Sequence, residues 1–261
     1  MVLKLILMLL LAQAAGPAAP QPAPDSLRIS GEYLLQELPS PDRIWGVQEY
    51  QHTAILLDVM ASSAPESLPR RLSPRSGALF ARLVNLDNIA PIKRTELPAG
   101  ARLELGLGIL ATQSSVLETY SQVGKSLPLV PLDAEIVDLL NFQLYLLEST
   151  FPLARDTMLN PSDSTLAPRK ADYELIRQSM ATVLFGALAT LAEHSYKTSE
   201  LLRLAKTLDE VMPFFLAAIP DSARAELPVR LTDMKAKESD PELNQLLTRL
   251  LQRANEAIPP K

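Results

Sequence analysis

Prolines interrupt a leucine-rich, glycine-poor chain, and this pattern constrains the fold more than any other sequence feature. The 261 residues include 22 prolines and 9 glycines, and about a fifth of them are leucine. Strands favour β-branched and aromatic residues and tight hairpins favour glycine, whereas leucine is a strong helix former. The composition therefore predicts helices that are separated by prolines, and it argues against a β protein.

The spacing of apolar residues predicts where these helices lie. In several segments leucines recur at steps of three and four residues, which places them on one helix face. Asp240-Pro241-Glu242 supplies an N-cap acceptor, a first-turn proline and an anion near the positive end of the helix dipole. Pro213 should kink or close the helix that contains it. The predicted helices cover residues 26–38, 42–61, 76–89, 101–123, 132–158, 169–195, 198–219, 221–235 and 241–257. We therefore expect an all-α, multi-helix bundle or array of about eight helices.

Two segments are too apolar for surface helices. Residues 103–117 contain Glu104 as their one charged residue, and residues 179–192 contain none. We expect these two helices to form the centre of the core. Each also has a line of small residues that would let a neighbouring helix approach closely: Gly108, Thr112, Ser115 and Thr119 in one, and Ser179, Thr182, Gly186 and Ala189 in the other.

An internal repeat is a weaker possibility. Gly108-Ile-Leu-Ala-Thr112 resembles Gly186-Ala-Leu-Ala-Thr190. Short matches of this kind arise easily in helical sequences, and no fixed period accompanies this one. A duplication therefore stays open.

The amino terminus has the organisation of a secretory signal peptide. Lys4 provides a positive charge, residues 5–12 are apolar, and Ala12-Gln13-Ala14 matches the small-x-small cleavage pattern. The apolar run is too short for a bilayer span, which needs about 20 residues. We expect cleavage after Ala14, a Pro/Ala-rich tether over residues 15–25 and a single helical domain over residues 26–261. The alternative is an uncleaved membrane anchor.

Charge and cysteine content exclude several functional classes. The chain has no cysteine, which excludes a disulfide scaffold, a thiolate metal site and a cysteine nucleophile. Its net charge of -5 gives no reason to expect a nucleic-acid partner. We predict no cofactor, no bound metal and no transmembrane helix in the mature chain. The expected location is the periplasm or the outside of the cell.

A basic loop is the clearest candidate for an interaction site. Residues 62–76 are rich in proline, serine and arginine, so we expect an exposed loop here, and it includes Arg70, Arg71 and Arg75. The window 66–102 has seven basic residues against three acidic ones, whereas the window 103–166 has two against eight. The loop would bind an acidic protein, a cell-wall polymer or an anionic lipid surface. Alternatively, it rests on the acidic helix 132–158 of the same chain.

Candidates for catalysis are few, because the chain has only 2 histidines. Glu49 and His52 share a helix face, but a carboxylate-bridged di-iron site would need the same spacing a second time, and Leu191 stands three residues before His194. The alternative for Glu49 and His52 is a side-chain pair on the helix surface. His194 would act as a general base or, more simply, as a cation at a helix C-terminus. No serine-hydrolase elbow, zinc-protease motif, phosphate-binding glycine loop or calcium loop is present.

These observations favour an exported, non-catalytic helical protein that acts by binding in the periplasm or at the envelope. One alternative is an exported hydrolase that uses carboxylate or histidine chemistry, with Glu49, His52 and His194 as its candidates. The other is a carrier of an apolar ligand, in which helices 101–123 and 169–195 line the cavity.

Overall fold

The regular structure of the chain is helical. The computed structural model describes residues 43–74, 76–127, 131–159, 169–193 and 195–257, and no strand occurs in these ranges. The α-helices are α1 (Val47–Ser63), α2 (Gly77–Leu83), α3 (Ala90–Lys93), α4 (Ala99–Ser126), α5 (Asp133–Leu159), α6 (Lys170–Leu191), α7 (Thr198–Ala218), α8 (Asp221–Lys237) and α9 (Pro241–Glu256). The all-α prediction is confirmed for this part of the chain. The predicted signal peptide, tether and first helix lie outside the described residues.

Helix α1 begins later than the sequence predicted, at Val47 rather than residue 42. The Trp45 N–H donates to Asn88 Oδ1 at 2.8 Å, and the Gly46 N–H donates to Glu49 Oε2 at 2.8 Å. Gly46 has an extended backbone, with φ -105° and ψ -167°. These side-chain partners hold the residues before Val47 in a non-helical conformation and define the start of the helix.

The helix predicted over residues 76–89 is two separate elements. Helix α2 ends at Leu83, and a 3-10 helix follows over Leu86–Ile89. The Asn85 side chain accepts the Asp87 N–H at 3.0 Å, and Asn88 Nδ2 donates to the Arg82 carbonyl at 2.8 Å. Because asparagine side chains take over backbone partners here, a continuous helix is interrupted.

Prolines inside helices do not end them. Pro152, Pro213 and Pro228 lie within α5, α7 and α8, and α7 continues past Pro213 to Ala218. Of the two expectations for Pro213, closure of the helix is therefore wrong, and a kink stays a prediction. A proline in a helix interior removes one backbone hydrogen bond, and packing of the surrounding residues offsets that loss.

The chain divides into two compact units, one up to Gln143 and one from Leu144 onward. In the first unit α1 packs against α4, and α3 also packs against α4. In the second unit α6 packs against α7, while α9 packs against both α7 and α8. The expectation of a single domain over residues 26–261 is not tested by this division and stays a prediction.

Helix α5 is the most continuously buried element in the described part of the chain. Every residue from Leu132 to Ala154 is buried or half-buried. Helix α4 also contributes many buried side chains, among them Ile109 and Val116. Helix α6, in contrast, buries one face and exposes Thr182, Gly186 and Ala189 on another. The expectation that α6 is a central helix is therefore wrong for that face.

The two helical glycines that looked equivalent in the sequence have different surroundings. A Cβ atom at Gly108 would lie 2.7 Å from Val47 Cγ2 and 3.2 Å from Val47 Cγ1, whereas a Cβ at Gly186 would meet nothing within 4 Å. Rotation of Val47 does not relieve the first contact, because a valine has two methyl groups and a stiff χ1 angle. Close packing through small residues is confirmed at Gly108 and is wrong at Gly186.

This difference predicts opposite outcomes for the same substitution. Gly186→Ala should raise the free energy of unfolding by about 0.5–1 kcal/mol, because alanine is the better helix former. Gly108→Ala should be less stable than Gly186→Ala by about 1–3 kcal/mol, the usual cost of overpacking. Urea unfolding of the two variants checks this, and equal stabilisation by both would contradict the assignment.

Candidate functional site

The basic loop lies on the acidic face of α5. The Arg71 N–H donates to Glu135 Oε1 at 2.9 Å, and Arg70 Nε lies 3.5 Å from the same oxygen. Arg71 Nε lies 3.7 Å from Asp138 Oδ2. These contacts of Arg70 and Arg71 agree with the alternative expected from the sequence, in which the loop rests on the acidic helix of its own chain. Arg75 lies outside the described residues, and binding of an external partner by these arginines stays a prediction.

The centre of this loop is buried. Leu68 is 1% exposed, and the Pro69 carbonyl accepts the Tyr120 hydroxyl at 2.7 Å. The Arg70 guanidinium also donates to the Pro131 carbonyl. Burial raises the pKa of Tyr120, and the nearby Glu135 carboxylate raises it further. Tyr120 therefore remains a protonated donor, and the loop is anchored at residues that the sequence placed in an exposed stretch.

Glu49 is occupied by structural contacts at the start of α1. Its side chain is 7% exposed, Oε2 accepts the Gly46 N–H, and Oε1 lies 3.5 Å from Arg43 Nη2. His52 is half-buried on the same helix. His194 lies outside the described residues, so the catalytic assignment of this set stays a prediction. Across the described ranges, no group of three or more histidine, aspartate and glutamate side chains is arranged to hold a metal ion.

A second buried polar network joins α1 to the segment after α2. Asn88 is 1% exposed, and its Nδ2 donates to Tyr50 Oη at 3.0 Å. Tyr50 Oη in turn donates to the Leu83 carbonyl at 2.9 Å. Burial raises the pKa of Tyr50, so its hydroxyl stays protonated. The network has no access to solvent, and its role is to fix the backbone of the first unit.

The second unit has a groove between α7, α8 and α9. We call it the arginine groove. Its volume is about 710 Å³, and its lining residues are Pro213, Leu216, Ala217, Arg224, Arg249, Gln252, Arg253, Glu256 and Ala257. Pro213, Leu216 and Ala217 fall on one face of α7 because they are three and four residues apart. They form an apolar floor, and three arginines stand around it.

Two of these arginines share one carboxylate. Asp209 on α7 lies 3.4 Å from Arg249 Nη2 and 3.1 Å from Arg253 Nε, and its side chain is 14% exposed. Arg249 and Arg253 are four residues apart and therefore neighbours on α9. One carboxylate, that of Asp209, therefore lies against two guanidinium groups at this side of the groove. The lining has one negative charge of its own, Glu256, which accepts a hydrogen bond from Gln252 at 2.8 Å.

Arg224 has weaker partners than Arg249 and Arg253. Its Nη2 lies 3.3 Å from Asp221, whose side chain is 91% exposed, and 3.4 Å from the Ile219 carbonyl. The C-terminal carbonyls of α7 are already bonded to Arg177, which donates to Ala218 at 2.8 Å and to Ile219 at 2.7 Å. Since exposed ion pairs contribute little, Arg224 has no strong structural partner among the residues of the second unit that the structure describes.

The sequence contained part of this site. In the helix predicted over residues 241–257, Arg249, Arg253 and Glu256 lie outside the face that carries the leucines. The spacing of four residues between the two arginines is also visible in the sequence. The convergence of α7, α8 and α9 depends on tertiary packing, and no local pattern predicted it.

Comparison of the chain with protein-family models, with curated proteins and with solved structures finds no match. Among the helices that the structure describes, none has the length and apolar character needed to cross a membrane.

The contacts of Glu135 predict a large effect of its removal. Glu135→Ala leaves the Arg71 N–H without its acceptor and the Arg70 guanidinium without its carboxylate partner, so we expect the free energy of unfolding to fall by about 2–3 kcal/mol. Glu104→Ala removes the same charge from an exposed position on α4 and should change stability by no more than about 0.5 kcal/mol. Chemical unfolding of both variants is the measurement. Similar stabilities for the two would show that Glu135 does not hold the loop.

Proposed function

We propose that this chain is an exported, non-catalytic binding protein whose ligand site is the arginine groove. The groove itself carries the proposal. Small-molecule sites are concave, mostly apolar and of roughly 300–1,000 Å³, with a few polar groups that fix the ligand. The groove of about 710 Å³ has this combination of an apolar floor and a few charged side chains.

The chemistry of the lining favours binding over proton transfer. Guanidinium groups stay protonated at all physiological pH values, so arginines hold anions but do not act as general acids or bases. The hydrolase alternative has less support, because the Glu49 carboxylate is taken up by the start of α1. A carrier with helices 101–123 and 169–195 as its walls would use a different surface, since the groove is lined by α7, α8 and α9.

Export is the second part of the proposal, and it rests on the sequence of residues 1–14. Lys4, the apolar run and Ala12-Gln13-Ala14 provide the three regions of a signal peptide. A binding protein that reaches the periplasm or the envelope would meet its ligand there.

Intact mass spectrometry tests the export step. After expression of the full chain in a Gram-negative host, the periplasmic fraction should contain a protein whose first residue is Ala15. Cytoplasmic protein that retains Met1, with none in the periplasm, would contradict export.

Blocking the groove tests the site. Ala217 is exposed on the groove floor, so Ala217→Trp should fill the groove, whereas Ala189→Trp puts the same side chain on the exposed face of α6. Native mass spectrometry of protein purified without detergent should show a bound small molecule on the wild type and on Ala189→Trp. The bound mass should be lost from Ala217→Trp. Equal occupancy of both variants, or a bare wild type, would overturn the proposed site.

A further inference from the structure

We propose that the ligand of the arginine groove is an amphipathic anion, with a carboxylate or phosphate head group and an alkyl chain. This inference rests on the proposed function and adds the chemical class of the ligand. Arg224 and Arg253 take the head group, and the alkyl chain lies along the floor formed by Pro213, Leu216 and Ala217.

Arg224 is the principal contact for the head group. A planar guanidinium matches the two oxygens of a carboxylate or phosphate, and such charge-assisted bonds are stronger than neutral ones. The carbonyls at the end of α7 are already bonded to Arg177. Arg224 adds only a 3.4 Å contact to the Ile219 carbonyl, which Arg177 already bonds at 2.7 Å, so it exchanges its contact with the exposed Asp221 for an anion in the groove.

Arg249 and Arg253 form a preorganised cationic edge. Their shared partner Asp209 is only 14% exposed and holds both guanidinium groups in place. The lining as a whole has three arginines against one carboxylate, Glu256. A ligand anion then binds to side chains that are already ordered, so less of the binding free energy is lost in immobilising them.

The apolar floor favours a ligand with an alkyl chain over a purely inorganic anion. Pro213 and Ala217 expose apolar surface at the floor, whereas Leu216 is 5% exposed and adds little to it. A volume of about 710 Å³ is many times the roughly 30 Å³ share of one water molecule, so a bare phosphate would leave most of the groove wet. An alkyl chain removes this apolar surface from water, and each buried methylene adds to the affinity.

The decisive experiment compares decanoate with 1-decanol, which has the same chain and no charge. Calorimetric titration of the exported protein should show decanoate binding at least about tenfold more tightly than 1-decanol, the loss expected when a charged hydrogen bond is removed. Arg224→Gln should weaken decanoate binding by a similar factor and leave 1-decanol binding unchanged. Arg253→Gln should act in the same direction.

Arg230→Gln is the matched control. Arg230 is also on α8, but its guanidinium lies 4.5 Å from the centre of the Phe185 ring and bonds to Glu226, outside the groove lining. This variant should bind decanoate like the wild type. Thermal unfolding of every variant separates a loss of affinity from a loss of fold.

Vesicles distinguish a free amphiphile from a membrane head group. If the ligand is a free amphiphile, decanoate binds and phosphatidylglycerol vesicles do not retain the protein. If the ligand is a lipid still in its membrane, phosphatidylglycerol vesicles retain the wild type but not Arg224→Gln, and phosphatidylcholine vesicles retain neither. Each result supports an amphipathic anion and names its source.

Three results overturn the inference, and they differ in what they mean for the proposed function. Equal binding of decanoate and 1-decanol, lost in Ala217→Trp, would reject an anionic ligand but keep the groove as the site. Decanoate binding that survives both Ala217→Trp and Arg224→Gln would reject the groove and the proposed function together. An absence of binding to decanoate and to both vesicle types would reject the ligand class.

Discussion

The burial of α5 is the constraint on which most of the structure depends. Because every residue from Leu132 to Ala154 is buried or half-buried, the polar groups of this helix need protein partners or stay unpaired at a cost. The Glu135 carboxylate accepts the Arg71 N–H. The Gln143 side chain donates to the Ser114 hydroxyl at 2.7 Å, and the Tyr145 hydroxyl donates to the Glu210 carboxylate at 2.5 Å. These bonds fix the basic loop and α4 within the first unit, and α7 within the second.

The same reasoning separates structural charges from available ones. Arg70 and Arg71 have buried or half-buried partners on α5, so their positive charge is largely used to hold the loop. In the second unit Arg177 bonds to the end of α7, and Arg224 has only a highly exposed partner, Asp221, and a 3.4 Å contact with the Ile219 carbonyl among the described residues. Arg224 lies in a groove and lacks a strong partner among the described residues. It is therefore a better candidate for binding an anion than the basic loop, although the basic loop is more conspicuous in the sequence.

Local patterns predicted much of the fold but little of the site. Helix periodicity located the long helices, and the Asp240 cap is confirmed, since its carboxylate accepts the Leu243 N–H at 2.9 Å. Periodicity could not distinguish Gly108 from Gly186, because their spacing is alike and only the approach of Val47 differs. It also could not predict the burial of Glu135, because a carboxylate buried against a distant loop has no local signature. The arginine groove depends on three helices that converge only in the folded chain.

Hydrogen exchange with and without decanoate tests the central claim most directly, because it reports where a ligand acts without any substitution. We predict slower amide exchange in peptides that cover residues 213–224 and 249–257, and unchanged exchange in α4, when decanoate is bound. Slower exchange confined to the first unit, or no difference anywhere at a decanoate concentration that saturates the protein, would contradict the assignment of the arginine groove as the binding site.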